Sequence, residues 1–181
     1  MTDSPNTLTD DLFLIAPGDT AEGPEQPTLS FSRSPTVALT FAANRFTRAA
    51  ARDYQARFGI GAMDWRMLVM LTREPGSTVS HAARTIGIDK AAVSRSLRRL
   101  QNTGLALPEA EGRDDRRKSS TLTDEGRALH AEILTHALTR QKRLLAGFSA
   151  DEVRALTGYL ARILDNIDGA FAEDPEGSRG Q

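Results

Sequence analysis

Residues 80–122 constrain the fold more tightly than any other stretch of the chain. Two short helical patterns are joined by Gly87-Ile88-Asp89, and two short strand-like runs follow, separated by a polar turn. Ser80 is expected to cap the first helix, which stops at Gly87. Asp89 caps the second, expected from Lys90 to about Thr103 and closed by Gly104. Leu105-Ala106-Leu107-Pro108 and Ser119-Ser120-Thr121-Leu122 read as strands, with Glu109 to Arg116 as the turn between them. Two short helices on a tight glycine-containing turn suit a helix-turn-helix, and a hairpin directly behind them is a wing. The expected fold class is mainly α with a small β wing.

The second of these helices has two faces. Val93, Leu97 and Leu100 recur at i, i+4 and i+7 and form the stripe expected to be buried. Opposite them lie Ala91, Arg95, Arg98 and Asn102, with Ser94 and Arg99 on the flanks and Lys90 at the start. Such a face fits a DNA major groove. Arg pairs with guanine through two hydrogen bonds, Ser and Asn bond phosphates or bases, and Ala lets the backbone come close. An amphipathic helix that carries Arg for solubility has the same wheel, so geometry alone leaves both readings open.

Further helices flank this unit. Pro35 suits a first helical turn, and Val37, Leu39, Phe41, Ala42, Phe46, Ala49 and Tyr54 follow at helical spacing until Gly59 and Gly61. A shorter helix is expected from about Met63 to Arg73, before Pro75-Gly76. Thr123 opens a long helix to about Ala146, and Ser149-Ala150-Asp151-Glu152 is a capping box for the last one. That helix carries Val153, Leu156, Leu160, Ile163, Leu164 and Ile167 on one stripe. A winged unit cannot cover so much apolar surface. Symmetric pairing of two copies buries it, with packing of the first and last helices within one chain as the alternative.

Composition narrows the function classes. The net charge of −1 over 181 residues excludes a uniformly basic coat. Residues 1–36 nevertheless carry six acidic side chains against Arg33 alone, whereas residues 84–118 carry nine basic against five acidic. A local basic zone points to an anionic partner or to a solvated face. There is no Cys, so disulfides, thiolate metal sites and cysteine redox sensing are excluded. His81, His130 and His136 share no helical face, so no metal site is expected. Glycine-rich phosphate loops, nucleophile elbows and His-Glu-x-x-His helices are missing, which argues against an enzyme and calls for no cofactor. No apolar run exceeds five residues where a membrane span needs about 20. With an acidic, polar beginning as well, a cytoplasmic protein is expected. Residues 1–33 hold Pro5, Pro17, Pro24 and Pro27 among small and acidic residues, and read as a flexible acidic arm with one apolar patch, Leu12-Phe13-Leu14-Ile15. Residues 173–181 read as a disordered tail.

Taken in order, Asp64-Trp65-Arg66-Met67-Leu68, Pro75-Gly76, Asp89-Lys90-Ala91-Ala92-Val93-Ser94-Arg95, Leu100-Gln101-Asn102-Thr103-Gly104-Leu105, Gly112-Arg113-Asp114-Asp115-Arg116-Arg117 and Leu122-Thr123-Asp124-Glu125-Gly126 resemble the multiple antibiotic resistance regulator (MarR) family. The resemblance runs over residues 35–170, about three quarters of the chain. It implies a homodimeric winged helix-turn-helix transcriptional regulator, by family default a ligand-responsive repressor of a pseudo-palindromic operator. Residues 34–172 would form the family domain. Helices at about 35–58 and 123–170 would make the dimer, and residues 61–122 would be the winged unit on double-stranded DNA. The family's Asp-Xaa-Arg wing element falls on Asp114 and Arg116, with Asp115 and Arg117 as an overlapping second register, and Arg113 lies beside them.

Relatives in this family also hold small anionic or aromatic effectors between the dimerisation helices and the winged unit. The candidate lining here is Asn44, Arg45, Trp65, Arg66 and Met70, with Arg45 or Arg66 for a carboxylate or phenolate. The arm exceeds what the family needs. A transcriptional activator, or an interaction module without DNA, is the alternative function.

Overall fold

The structure, a computed structural model, describes residues 8–20, 23–109 and 119–171. The chain divides into two compact units, the first ending at His130 and the second beginning at Ala131.

In the first unit, helix α1 spans Pro35–Phe58, with Pro35 directly after the extended Ser34 and a stop at Gly59, whose φ of 68° is left-handed. Helix α2 covers Ala62–Arg73, α3 covers Val79–Ile86 and α4 covers Lys90–Asn102. Asp89 caps α4 as expected, accepting from the Ala92 amide at 2.8 Å. The cap of α3 is a correction: Thr78, not Ser80, accepts from the His81 amide at 3.2 Å. Thr78 is held extended by an antiparallel bridge to Ser119, far along the chain, and this places it just outside the helix.

After α4, strand β3 (Ala106–Glu109) pairs antiparallel with β4 (Ser119–Leu122), in a register from Ala106 opposite Leu122 to Glu109 opposite Ser119. The stem of this wing is fastened to the helices. The Gly76 amide donates to the Ser120 carbonyl at 3.2 Å, and the Gln101 side chain donates to the Ser120 hydroxyl at 3.1 Å. The core joins Met67, Leu68 and Leu71 of α2, Ala82 and Ala83 of α3, Val93, Leu97 and Leu100 of α4, and Ala106 and Leu122 of the strands. Each large side chain fully buried there contributes about 1.5–3 kcal/mol.

Helix α5, Asp124–Leu144, starts against the end of α4. Thr123 donates its hydroxyl to the Gly104 carbonyl at 2.8 Å, accepts the Gly126 amide at 3.0 Å, and donates its own amide to Leu105 at 3.2 Å. One threonine thus caps a helix and ties it to the turn before β3.

The N-terminal stretch carries structure that its composition argued against. A single 3₁₀ turn at Asp10–Leu12 leads into strand β1 (Leu14–Ile15), which pairs antiparallel with β2 (Thr28–Leu29). The Arg33 guanidinium bonds the Leu14 carbonyl and the Asp19 carboxylate. The Ala16 amide and Arg33 hold the Asp19 carboxyl below the usual carboxylate range. Phe31 meets Phe41 of α1 edge-on, with 5.1 Å between ring centres. Backbone pairing and one arginine order this hairpin, not burial, since Leu12, Leu29 and Phe31 stay exposed.

The second unit holds the remainder of α5 and helix α6, Ala150–Ala170. The capping box is reciprocal: the Ser149 hydroxyl accepts from the Glu152 amide, and the Ser149 amide donates to the Glu152 carboxylate at 2.7 Å. The Ser149 amide also holds the Glu152 carboxyl below its ordinary range. Leu156, Tyr159, Leu164 and Ile167 of α6 are exposed in the single chain. No described helix is long and apolar enough to cross a membrane.

Candidate nucleic-acid interface

Helix α4 meets the core with Val93, Leu97 and Leu100, so the face opposite is turned outward by the same packing. Lys90, Ala91, Arg95, Arg98 and Asn102 are exposed, and Ser94 is half-buried at the edge. Helix α4 contains no acidic residue. Among the described residues, Lys90, Arg95 and Arg98 have no hydrogen-bonded or ionic partner. A cluster of unpaired cations on one helix face attracts an anion that can span them, which a phosphate backbone does.

Arg99 stands apart from that set. Its Nη2 lies 2.6 Å from an Asp64 carboxylate oxygen and its Nε 3.1 Å from the same oxygen. Ser96 donates to that oxygen at 2.6 Å, while the other oxygen accepts the Gly61 amide at 3.1 Å. The wheel left Ser96 unassigned, although its place three residues after Val93 puts it on the buried side. Asp64 entered only as part of a motif. The available signal was its position at the third residue of α2, where a carboxylate caps a helix start. Its pairing with α4, 32 and 35 residues away, has no local signature.

Arg113, Asp114, Arg116 and Arg117 lie outside the described residues, and so does the alternative Asp115. Of the expected effector set, Trp65 stacks on the His130 ring at 5.3 Å with planes 19° apart, and meets Tyr54 at 5.8 Å. Burial pushes the His130 pKa below its ordinary value. Met70 belongs to the core, Arg66 is half-buried, and Asn44 and Arg45 are exposed on α1. No described hydrogen bond or ring contact joins Asn44 or Arg45 to the other three. His130, unassigned by sequence, is the residue the structure adds beside Trp65.

Known proteins share this arrangement. The sequence model of the MarR family matches residues 58–117. The chain is similar to YdgJ of Bacillus subtilis, described as an uncharacterized HTH-type transcriptional regulator. The two are 30% identical over 115 residues, which is 64% of this chain and 70% of that protein. A MarR/EmrR family transcriptional regulator from Acinetobacter sp. ADP1 superposes with a TM-score of 0.72 at 27% identity, covering 78% of this chain and 99% of that one. MepR of S. aureus, solved as a DNA complex, shares the fold with a TM-score of 0.64 at 19% identity, over 76% and 99% of the two chains. The helix pair, the fastened wing and the uncovered cations on α4 therefore sit in a chain that belongs to the MarR family, a DNA-binding winged helix-turn-helix transcriptional regulator and not an enzyme.

Proposed function

We propose that the protein is a homodimeric repressor that occupies a pseudo-palindromic operator in double-stranded DNA and releases it on binding a small anionic or aromatic effector. The observation that carries the reading is the outward face of α4, where Lys90, Arg95 and Arg98 are exposed with no partner among the described residues while the opposite face is locked in the core. In this reading α4 enters the major groove, Arg95 and Arg98 reach base edges, and Lys90, Ser94 and Asn102 contact bases or phosphates beside them. The family resemblance assigns further DNA contacts to Arg113, Asp114, Arg116 and Arg117, with Arg116 for the backbone and Asp114 for holding it or a neighbouring Arg.

Pairing of two copies is supported by large apolar side chains that remain partly exposed on α1, Leu39 and Phe41 among them, and on α6. An effector site is supported by Trp65, whose ring is only partly buried between Tyr54 and His130, with the half-buried Arg66 next in sequence. Arg45 and Asn44 of α1 and Met70 of α2 complete the proposed lining.

Duplexes selected from a random pool, titrated by gel shift across salt concentrations, test the reading. Arg95→Ala and Arg98→Ala each remove a base contact, expected to cost about 1–3 kcal/mol of operator discrimination with the fold intact. Parent-like operator binding by both variants would overturn the assignment of α4. Parallel reporter assays decide the sign of regulation: repression requires higher expression when the protein is removed.

A further inference from the structure

Asp64 is the one charged side chain among the described residues that is buried, at 6% exposure. Removing a carboxylate from water is costly unless its partners repay the lost hydration, and an apolar side chain in the same space often stabilises a fold as well. Stability alone therefore explains this group poorly. Its partners are more informative. Through Ser96 and Arg99 it grips α4 at two points one turn apart, and through the Gly61 amide it is anchored at the start of α2. Arg99 approaches side-on with Nε and Nη2. Its side chain remains 52% exposed, and Nη1 has no partner among the described residues. Arg99 also flanks the outward face that carries Arg95 and Arg98.

We propose that Asp64 is a positioning residue for DNA binding: it seats α4 against α2 and holds the Arg99 guanidinium so that Nη1 donates to a backbone phosphate. The proposal rests on α4 being the recognition helix. A free arginine loses rotamer entropy when a contact immobilises it. Here Asp64 immobilises Arg99 before DNA arrives, so little of that entropy remains to be lost on binding. The pair keeps one charge-assisted contact inside the protein and offers another outside it.

The test uses the full chain and a selected operator duplex, with binding measured against salt and folding followed by circular dichroism. Arg99→Gln removes one phosphate contact per subunit and is expected to lower the slope of log K against log salt by about two per dimer. Arg99→Lys keeps the charge but cannot make the side-on pair, so the parental slope should persist with affinity about tenfold weaker. Asp64→Asn should behave like Arg99→Lys, because Arg99 keeps its charge and loses its holder. An unchanged slope in Arg99→Gln overturns the phosphate contact. Parental affinity in Asp64→Asn, or a loss matching only its unfolded fraction, overturns the positioning role. If Asp64→Asn does not fold, the two Arg99 variants decide: equal slopes for Gln and Lys overturn the proposal and unequal ones support it. A parent that binds no duplex defeats the reading of α4 itself, whereas binding that depends on Arg95 and is indifferent to Arg99 overturns only this inference.

Discussion

His130 lies nearly parallel to Trp65 and is partly withdrawn from water. Withdrawal disfavours the imidazolium, so the folded pKa falls below the ordinary value of 6.5. The unfolded chain then binds the proton more readily than the folded one. The stabilisation is complete above about pH 6.5 and is lost as pH falls through the lowered folded value. His130→Gln should therefore flatten the acid side of the melting-temperature profile. The check is a pair of profiles from pH 7.5 downward; if they run parallel, another group carries the dependence. Protonation would also add charge beside Trp65, and an aromatic effector at that ring should bind differently on the two sides of the transition.

Two glycines give opposite outcomes for one substitution at the level of elements. A Cβ at Gly126, in the first turn of α5, would sit 2.0 Å from the Leu105 carbonyl oxygen, and that backbone is pinned by Thr123. Gly126→Ala is expected to cost about 3 kcal/mol, the upper range for overpacking, because neither strand nor helix can step aside. Gly158 meets nothing within 4 Å and shares its face of α6 with Arg162 and Asp165, away from the apolar stripe. Gly158→Ala should gain about 0.5–1 kcal/mol. Denaturant melts of the two variants check both signs. Helices were legible in the sequence for local reasons: periodicity, Asp89, Ser149 and the closing glycines act within a turn or two. What the sequence hid is non-local. The Thr78 cap depends on Ser119, the N-terminal hairpin on Arg33 reaching back to Leu14, and the Asp64 pair on two helices meeting. The outward cations of α4 could be read from a wheel and the wing from its two strand-like runs, whereas the roles of Asp114 and Arg116 came from family resemblance alone.

For the molecule as a whole, the uncovered apolar surface sets the expectation. Leu164 is 67% exposed and Tyr159 62%, on a helix whose other face is charged. Leu164→Glu places a charge where the proposed partner packs, and should convert a dimer to monomer at micromolar concentration in sedimentation experiments. DNA affinity should collapse with it, because each monomer then binds a half-site alone. A dimer of undiminished mass would put the interface elsewhere. The fastening at Thr123 matters at this scale too. One side chain ties the turn after α4 to the start of α5, through the Gly104 carbonyl on one side and the Gly126 amide on the other. A rotation imposed on the first turn of α5 would reach the turn at the end of α4 through that side chain, as by a crankshaft. Two glycines inserted between Leu122 and Thr123 would act as a clutch, leaving both helices folded while the drive between them slips.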